Sequence, residues 1–162
     1  MFWLNKFPLW NPSAGIHIDE NLTWHSHIDE LRKKIACAIG AIKRVKSFMP
    51  RSTLLNAYNS LVQSHFDFCS SVWGNCGKTL FNKLQKHQNR AARVITSSNY
   101  DVDADSLFHK LSWKDLKSQR QTQNVLMVFK SFYGLVPEYL TSKFLKRNES
   151  NYSLRNSVNN LM

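Results

Sequence analysis

LFNKLQKHQNRAARVIT, residues 80–96, is the stretch whose reading decides the fold. Turned through about 100° per residue, it separates into two faces. Leu80, Phe81, Leu84, Ala91 and Ile95 gather on one side, and Lys83, Lys86, Arg90 and Arg93 line the other. The four cations follow i, i+3, i+7 and i+10, a single stripe about three turns long. Ala91 and Ala92 keep the apolar side thin, which lets a neighbouring backbone come close. Such a helix packs with one face and offers a row of cations with the other. A row of this kind is either simply solvated or the contact surface for a polyanion, and the charge around it bears on which.

The chain has 162 residues, 43% of them hydrophobic and 12% aromatic, so it carries enough apolar material to bury one core. Its formal net charge is +11. Positions 32–93 hold twelve basic residues against one acid, Asp67, an excess equal to the whole net charge of +11. Such local excess points to an acidic partner, with nucleic acid ahead of an anionic membrane. Three cysteines, Cys37, Cys69 and Cys76, are few and odd in number, which favours reduced thiols and an intracellular setting, nucleus or cytoplasm. The opening MFWLNKFPLW is apolar but short and broken by Lys6 and Pro8, so it does not read as a signal peptide. No run approaches the ~18 apolar residues of a transmembrane helix, and no membrane partner is expected.

Working outward, residues 1–13 match no pattern and form a leader, with Asn11, Pro12 and Ser13 as a turn. GIHI (residues 15–18) is a candidate short strand. Ser26 is a candidate N-cap, with Asp29 and Glu30 suited to the positive end of a helix over 27–48. Ile28, Leu31, Ile35, Ala38, Ile42 and Val45 give that helix its core stripe. Lys33 and Lys34 near its start, and Lys43, Arg44 and Lys46 near its end, lie off the stripe's centre. Met49 and Pro50 stop it. A second helix starts near Arg51 and carries Leu54, Leu55, Tyr58, Leu61, Val62 and Phe66. FCSSVWGNCG (residues 68–77) reads as a packed loop that plants Trp73 in the core. After the helix of residues 80–96, Ser97, Ser98 and Asn99 end the run. A loop over 101–105 leads to a helical turn over 106–110, and Ser112 reads as an N-cap before Trp113. The helix beyond it, to about residue 133, becomes apolar nearly all round, which predicts the most buried element of the chain. Gly134 suits its C-cap, and Pro137 can open a last short helix. From Arg147 the chain is rich in Asn and Ser and reads as a flexible tail, residues 147–162. The expected fold is mainly α, a bundle of about five helices over residues 14–146, with room for one short N-terminal strand.

These pieces have a familiar order. GIHID, LTWHSHI, the basic helix ending at Met49 and Pro50, Leu55 to Tyr58 with Ser60, Leu61 and Val62, and Phe68 and Cys69 with Val72, Trp73 and Gly74 come first. LQKHQNRAARVIT, the WKDLKSQR helix, Lys130 to Gly134 with VPEYL, and Tyr152, Ser153, Leu154 and Arg155 complete the set. In this order the chain resembles, from about residue 14 onward, the segment after the catalytic palm in reverse transcriptases of non-LTR (LINE-type, jockey-like) retrotransposons. The resemblance implies a helical thumb or connection that holds template and primer beside an active site carried elsewhere. It also implies that the chain is a fragment of an RNA-directed DNA polymerase. At the place of the family's primer grip, Ala14 and Gly15 follow Asn11, Pro12 and Ser13, so the grip is truncated or altered here. A thumb without its palm is also liable to leave an apolar face open.

Polymerisation needs two Mg²⁺ held by palm aspartates. No Asp-Asp pair occurs in the sequence, so no catalytic residue and no cofactor is assigned to this chain; Mg²⁺ belongs to the missing palm. Asp101, Asp103 and Asp105 match the first ligand positions of an EF-hand, but Ser106 replaces the required Gly and Ser112 the bidentate Glu. His65, Cys69, Cys76 and His87 lack a close Cys-x2-Cys pair and read as two core thiols and two ordinary histidines. No metal site is assigned. His25 and His27 are badly spaced for a metal, and no glycine-rich phosphate loop or nucleophile elbow is present. Trp73, Trp113 and the phenylalanines read as core rather than as base-stacking platforms.

The nucleic-acid candidates are Lys83, Lys86, Arg90 and Arg93, with Lys33, Lys34, Lys43, Arg44 and Lys46 as a second group. Cations alone position a phosphate backbone without reading sequence, so the expected partner is RNA or an RNA–DNA hybrid bound non-specifically. The rest of the parent polymerase is the other expected partner. The competing expectation is a helical protein–protein interaction module with a basic docking face.

Overall fold

Helices dominate the computed structural model, which describes residues 9–11 (backbone only) and 15–144. The fold is mainly α, as the periodicity predicts. The chain divides into two compact units, Met1–Arg120 and Gln121–Met162. The proposed tail, residues 147–162, and most of the proposed leader lie outside the described residues.

In the first unit, β2 (Ile16–Ile18) pairs antiparallel with β1 (Leu9–Asn11), with Trp10 opposite His17. The strand expected at GIHI is therefore present, with a partner in the stretch that matched no pattern. Helix α1 (His25–Val45) begins two residues earlier than predicted. Its N-cap is Trp24 in the left-handed region, φ 64°, rather than Ser26. The approach is fixed by Asp19, whose carboxylate accepts from the amides of Thr23 and Trp24 at 2.8 Å each and from the Thr23 hydroxyl at 3.0 Å. Hydrogen bonding led by the Thr23 amide holds the Asp19 carboxyl below its ordinary pKa. Buried Ile28, Leu31, Ile35, Ile39 and Ile42 form the core stripe of α1, while Val45 turns to solvent.

Helix α2 (Arg51–Tyr58) runs on through a π-helical segment, Asn59–Gln63, into α3 (Ser64–Asp67). The reason lies in the spacing of its buried residues. Leu54, Tyr58, Val62 and Phe66 are four apart, and an α-helix would rotate them by about 40° per step, or about 120° in all. The widened turn takes up one extra residue and returns Val62 and Phe66 to the face of Leu54 and Tyr58. Leu61, expected in the core, is accordingly exposed. The Ser60 hydroxyl donates to the Asn56 and Ala57 carbonyls, and the Ser64 hydroxyl to that of Ser60, which satisfies carbonyls disturbed by the change of pitch.

Cys69, at φ 50°, turns the chain into a single helical turn, α4 (Ser70–Trp73), where a loop was expected. Trp73 is planted in the core as predicted, and its indole Nε1 donates to the Phe68 carbonyl at 2.7 Å. Gly74 follows because nothing larger fits: a Cβ there would run into the Ser70 carbonyl and meet Arg120 Cδ at 2.7 Å. Helix α5 (Lys78–Thr96) buries Leu80, Leu84, Gln88, Ala91, Ala92, Val94 and Ile95 and packs most extensively on α1. Ser97 closes it in the left-handed region, with capping bonds to the Arg93 and Val94 carbonyls.

Asp103 caps α6 (Ala104–Leu111) by accepting from the amides of Asp105 and Ser106. Leu107 and Phe108 of α6 pack on Ala92, where the small side chain admits the close approach. Ser112 is not the N-cap of the next helix; at φ 55° it ends α6. The connection swings Trp113 onto Tyr58, rings 4.0 Å apart and 20° from parallel. Helix α7 (Leu116–Phe132) starts instead after Asp115, whose Oδ1 accepts from the Ser118 amide. The Leu116 amide is satisfied by Gln85 Oε1.

In the second unit the expectation of burial fails. Val125, Leu126, Met127 and Phe129 of α7 are exposed, and among the described residues of this unit Ser131 is the buried one. A helix apolar all round is buried only when neighbours cover several sides. The described part of this unit supplies one further element, the short α8 (Glu138–Thr141), and an edge-on contact of Phe132 with Phe144. Gly134 ends α7 at φ 66°, with the Leu135 amide bonded back to the Lys130 carbonyl, as its C-cap role requires.

Candidate nucleic-acid interface

The stripe on α5 is built by the burial of its opposite face. With Leu80, Leu84, Gln88, Ala91 and Ile95 turned inward, Lys86 and Arg90 are exposed and Lys83 and Arg93 half-buried. Gln88, fully buried, fixes the helix: its Nε2 donates to the Lys114 carbonyl at 3.0 Å and its Oε1 accepts from Gln85. Lys83, Lys86 and Arg90 make no ion pair among the described residues, where the pairs are Arg32 with Asp29 at 2.9 Å and Lys33 with Glu30 at 3.6 Å.

Arg93 differs from its neighbours. Its guanidinium lies 5.0 Å from the Tyr100 ring centre and its Nη2 donates to the Val102 carbonyl at 3.3 Å. It fastens the loop after α5 to the helix, and its Nε is buried without a partner.

The second group is not one surface. Lys43 and Arg44 are exposed and Lys46 half-buried at the C-terminal end of α1, where they complement the helix dipole. Lys33 is exposed beside Glu30, while Lys34 lines a small pocket with His17, His27, His65 and Phe68. After burial, the charges of Arg32 of α1 and Arg90 of α5 both act on His87 and lower its pKa. Sequence spacing does not show which flank of α1 meets α5, so Arg32 carries no signal there beyond its share of the charge excess.

Burial pushes His27, His65 and His87 below the usual histidine pKa, with nearby cations adding to each shift. Between those depressed values and the ordinary 6.5 the unfolded chain holds protons that the folded chain refuses. Stability is therefore intact above 6.5 and falls as the pH drops through the folded values. The expected result is a melting temperature that declines on acidification from about pH 7.5 to about pH 5, by roughly 2–4 °C per kcal/mol of linked protonation. Circular dichroism melts read it directly, and a flat profile is the contrary outcome.

Cys37 is exposed, Cys69 half-buried and Cys76 buried, all as free thiols. Among the described residues no three His, Cys, Asp or Glu side chains converge on a possible metal position, and no helix is long and apolar enough to cross a membrane.

A row of unpaired cations on a rigid, core-anchored helix can bind a phosphate backbone through charge alone. No protein-family model matches the chain, and no solved structure does. A Drosophila melanogaster protein, the probable RNA-directed DNA polymerase from transposon X-element, is 22% identical over 116 residues. That match covers 67% of this chain and 13% of the Drosophila protein, so the chain is similar to a short segment of a transposon polymerase.

Proposed function

We propose that this chain is the post-palm thumb or connection segment of a non-LTR retrotransposon reverse transcriptase, and that it holds template–primer nucleic acid without catalysing its extension. The observation that carries this is the cation face of α5, Lys83, Lys86 and Arg90, free of ion pairs among the described residues and standing on a buried apolar face. The distant similarity to a transposon polymerase supports it, as does the absence of an Asp-Asp pair from the sequence. Lys33, Lys34, Lys43, Arg44 and Lys46 do not continue the α5 stripe as one surface, so any phosphate contact they make is separate from it. Partners are RNA or an RNA–DNA hybrid and the remainder of a longer polymerase.

Titrating an RNA–DNA hybrid against the chain at several salt concentrations tests this. Affinity falls linearly on a log–log plot, with a slope of a few phosphate contacts at about 0.7–0.9 each. Absence of binding at low salt rejects the reading.

A second reading, a helical protein-interaction module with a basic docking face, draws on the same exposed cations, Lys86 and Arg90. Full competition between an acidic protein and the hybrid for the basic face would favour it.

A further inference from the structure

We infer that a second site, a nucleotide-phosphate cleft, lies between the start of α5 and the start of α7. The cleft has a volume of about 460 Å³ and is lined by Lys78, Phe81, Asn82, Lys117 and Arg120, with Cys76, Gln85 and Asp115 completing the wall. That volume lies within the ~300–1,000 Å³ of small-molecule sites, and one phosphate group would occupy only part of it.

Three cations and one acid line the cleft, an excess of two positive charges. Lys78, Lys117 and Arg120 have no ion-pair partner among the described residues, and Asp115 already serves as the cap that accepts from the Ser118 amide. A phosphate monoester carries roughly −1.5 to −2 at neutral pH, which matches that excess.

Arg120 is held ready rather than waving in solvent. Its stem lies against Gly74, where a Cβ would come within 2.7 Å of Cδ, and its guanidinium sits 4.9 Å from the centre of the Phe81 ring. A guanidinium already placed by an aromatic ring loses less freedom on grasping an anion, and its planar fork suits two phosphate oxygens. The buried Cys76 lines the same cleft as Arg120. Lys78 and Lys117 line the same cleft and are exposed.

The space beyond the phosphate calls for a larger body than the anion alone. Asn82 is exposed and offers a donor and an acceptor to a base edge, whereas Gln85 is already engaged with Gln88, Asn89 and the Leu116 amide. A nucleotide has the charge, the size and the polar edge that this lining accepts. The site stands on its own lining and does not depend on the α5 stripe, since Lys83, Lys86 and Arg90 are not part of it.

Calorimetric titration of the full chain at low salt with adenosine monophosphate, adenosine, inorganic phosphate and a short oligoadenylate tests it. The monophosphate is expected to bind at least about tenfold more tightly than adenosine, the worth of one charge-assisted bidentate contact. Lys78→Gln with Lys117→Gln, both at exposed positions that leave the core intact, is expected to weaken it by about tenfold. Arg120→Gln is expected to abolish it, judged only in protein whose melt matches the parent. Lys86→Glu with Arg90→Glu should leave monophosphate affinity unchanged while lowering that of the RNA–DNA hybrid, so failure of this site and failure of the α5 interface are distinguishable. Tighter binding of the oligoadenylate than of the monophosphate, retained in the Lys86→Glu and Arg90→Glu variant, assigns the cleft to a strand, and equal binding in that variant to a free nucleotide; both support it. Inorganic phosphate binding as tightly as the monophosphate would overturn the nucleotide assignment. Equal affinity for adenosine and its monophosphate, no binding of either, or an unchanged affinity in the double lysine variant would overturn the site.

Discussion

Lys86→Glu combined with Arg90→Glu is expected to lower affinity for an RNA–DNA hybrid at low salt by tenfold or more. Each substitution removes a proposed phosphate contact and replaces it with a repelling carboxylate, and both positions lie exposed on the outer face of α5. The slope of log affinity against log salt should become shallower by about two contacts, or roughly 1.4–1.8. Because neither side chain is buried or ion-paired among the described residues, stability should change by no more than about 0.5 kcal/mol. Arg93→Glu provides the contrast. It breaks the bond to the Val102 carbonyl and the stacking on Tyr100, so it should lower the melting temperature as well as the affinity. An unaltered slope in the Lys86 and Arg90 variant would move the contact surface off α5.

Trp73→Ala is expected to cost about 3–5 kcal/mol, the range for emptying a large aromatic from a core. Trp73 is 3% exposed and its indole donates the hydrogen bond to the Phe68 carbonyl, so truncation also strands that acceptor. Against a total stability of about 5–15 kcal/mol, the loss should move the urea midpoint far enough to leave part of the chain unfolded at ambient temperature. Trp73→Phe keeps most of the apolar volume and loses the hydrogen bond, so its cost should be nearer 1–2 kcal/mol. Chemical denaturation followed by circular dichroism separates the two. A Trp73→Ala loss below about 1 kcal/mol would mean that α4 is not seated in the core.

What the sequence shows of this fold depends on how local the deciding contact is. The stripe of α1 and the two faces of α5 follow from periodicity alone, because each is a property of one helix. Ile39 of α1 is buried beside the stripe that the spacing predicts, and Val45, the last position of that stripe, lies exposed at the helix end. Four-residue spacing at Leu54, Tyr58, Val62 and Phe66 was visible, yet a fixed 3.6-residue period put Leu61 in the core and hid the π segment. Ser112 carries the residue type of an N-cap, but its backbone closes the helix before it. Apolar composition around residues 125–129 signals burial only if something covers it, which one helix's sequence does not encode.

The candidate surface divides the same way. Lys86 and Arg90 are legible because they share one helix face. Arg93 looks identical by spacing, and only the returning loop with Tyr100 and Val102 shows that it is a fastening. Lys78, Lys117 and Arg120 come from two helices separated by an intervening one, so no window along the chain brings them together. The glycine at position 74 was the available hint, since it clears space for a side chain 46 residues away.

The π segment at Asn59–Gln63 also sets where the chain can change length. A π turn is an α-helix that has absorbed one surplus residue. Losing one residue inside it converts the turn to ordinary α-helix while Phe66, on its far side, keeps its place in the core. A loss one turn earlier in α2, or within α3, has no such slack and swings everything beyond it about 100° off the core. The helix from Arg51 to Asp67 thus holds one spare residue, placed where its removal costs the packing least.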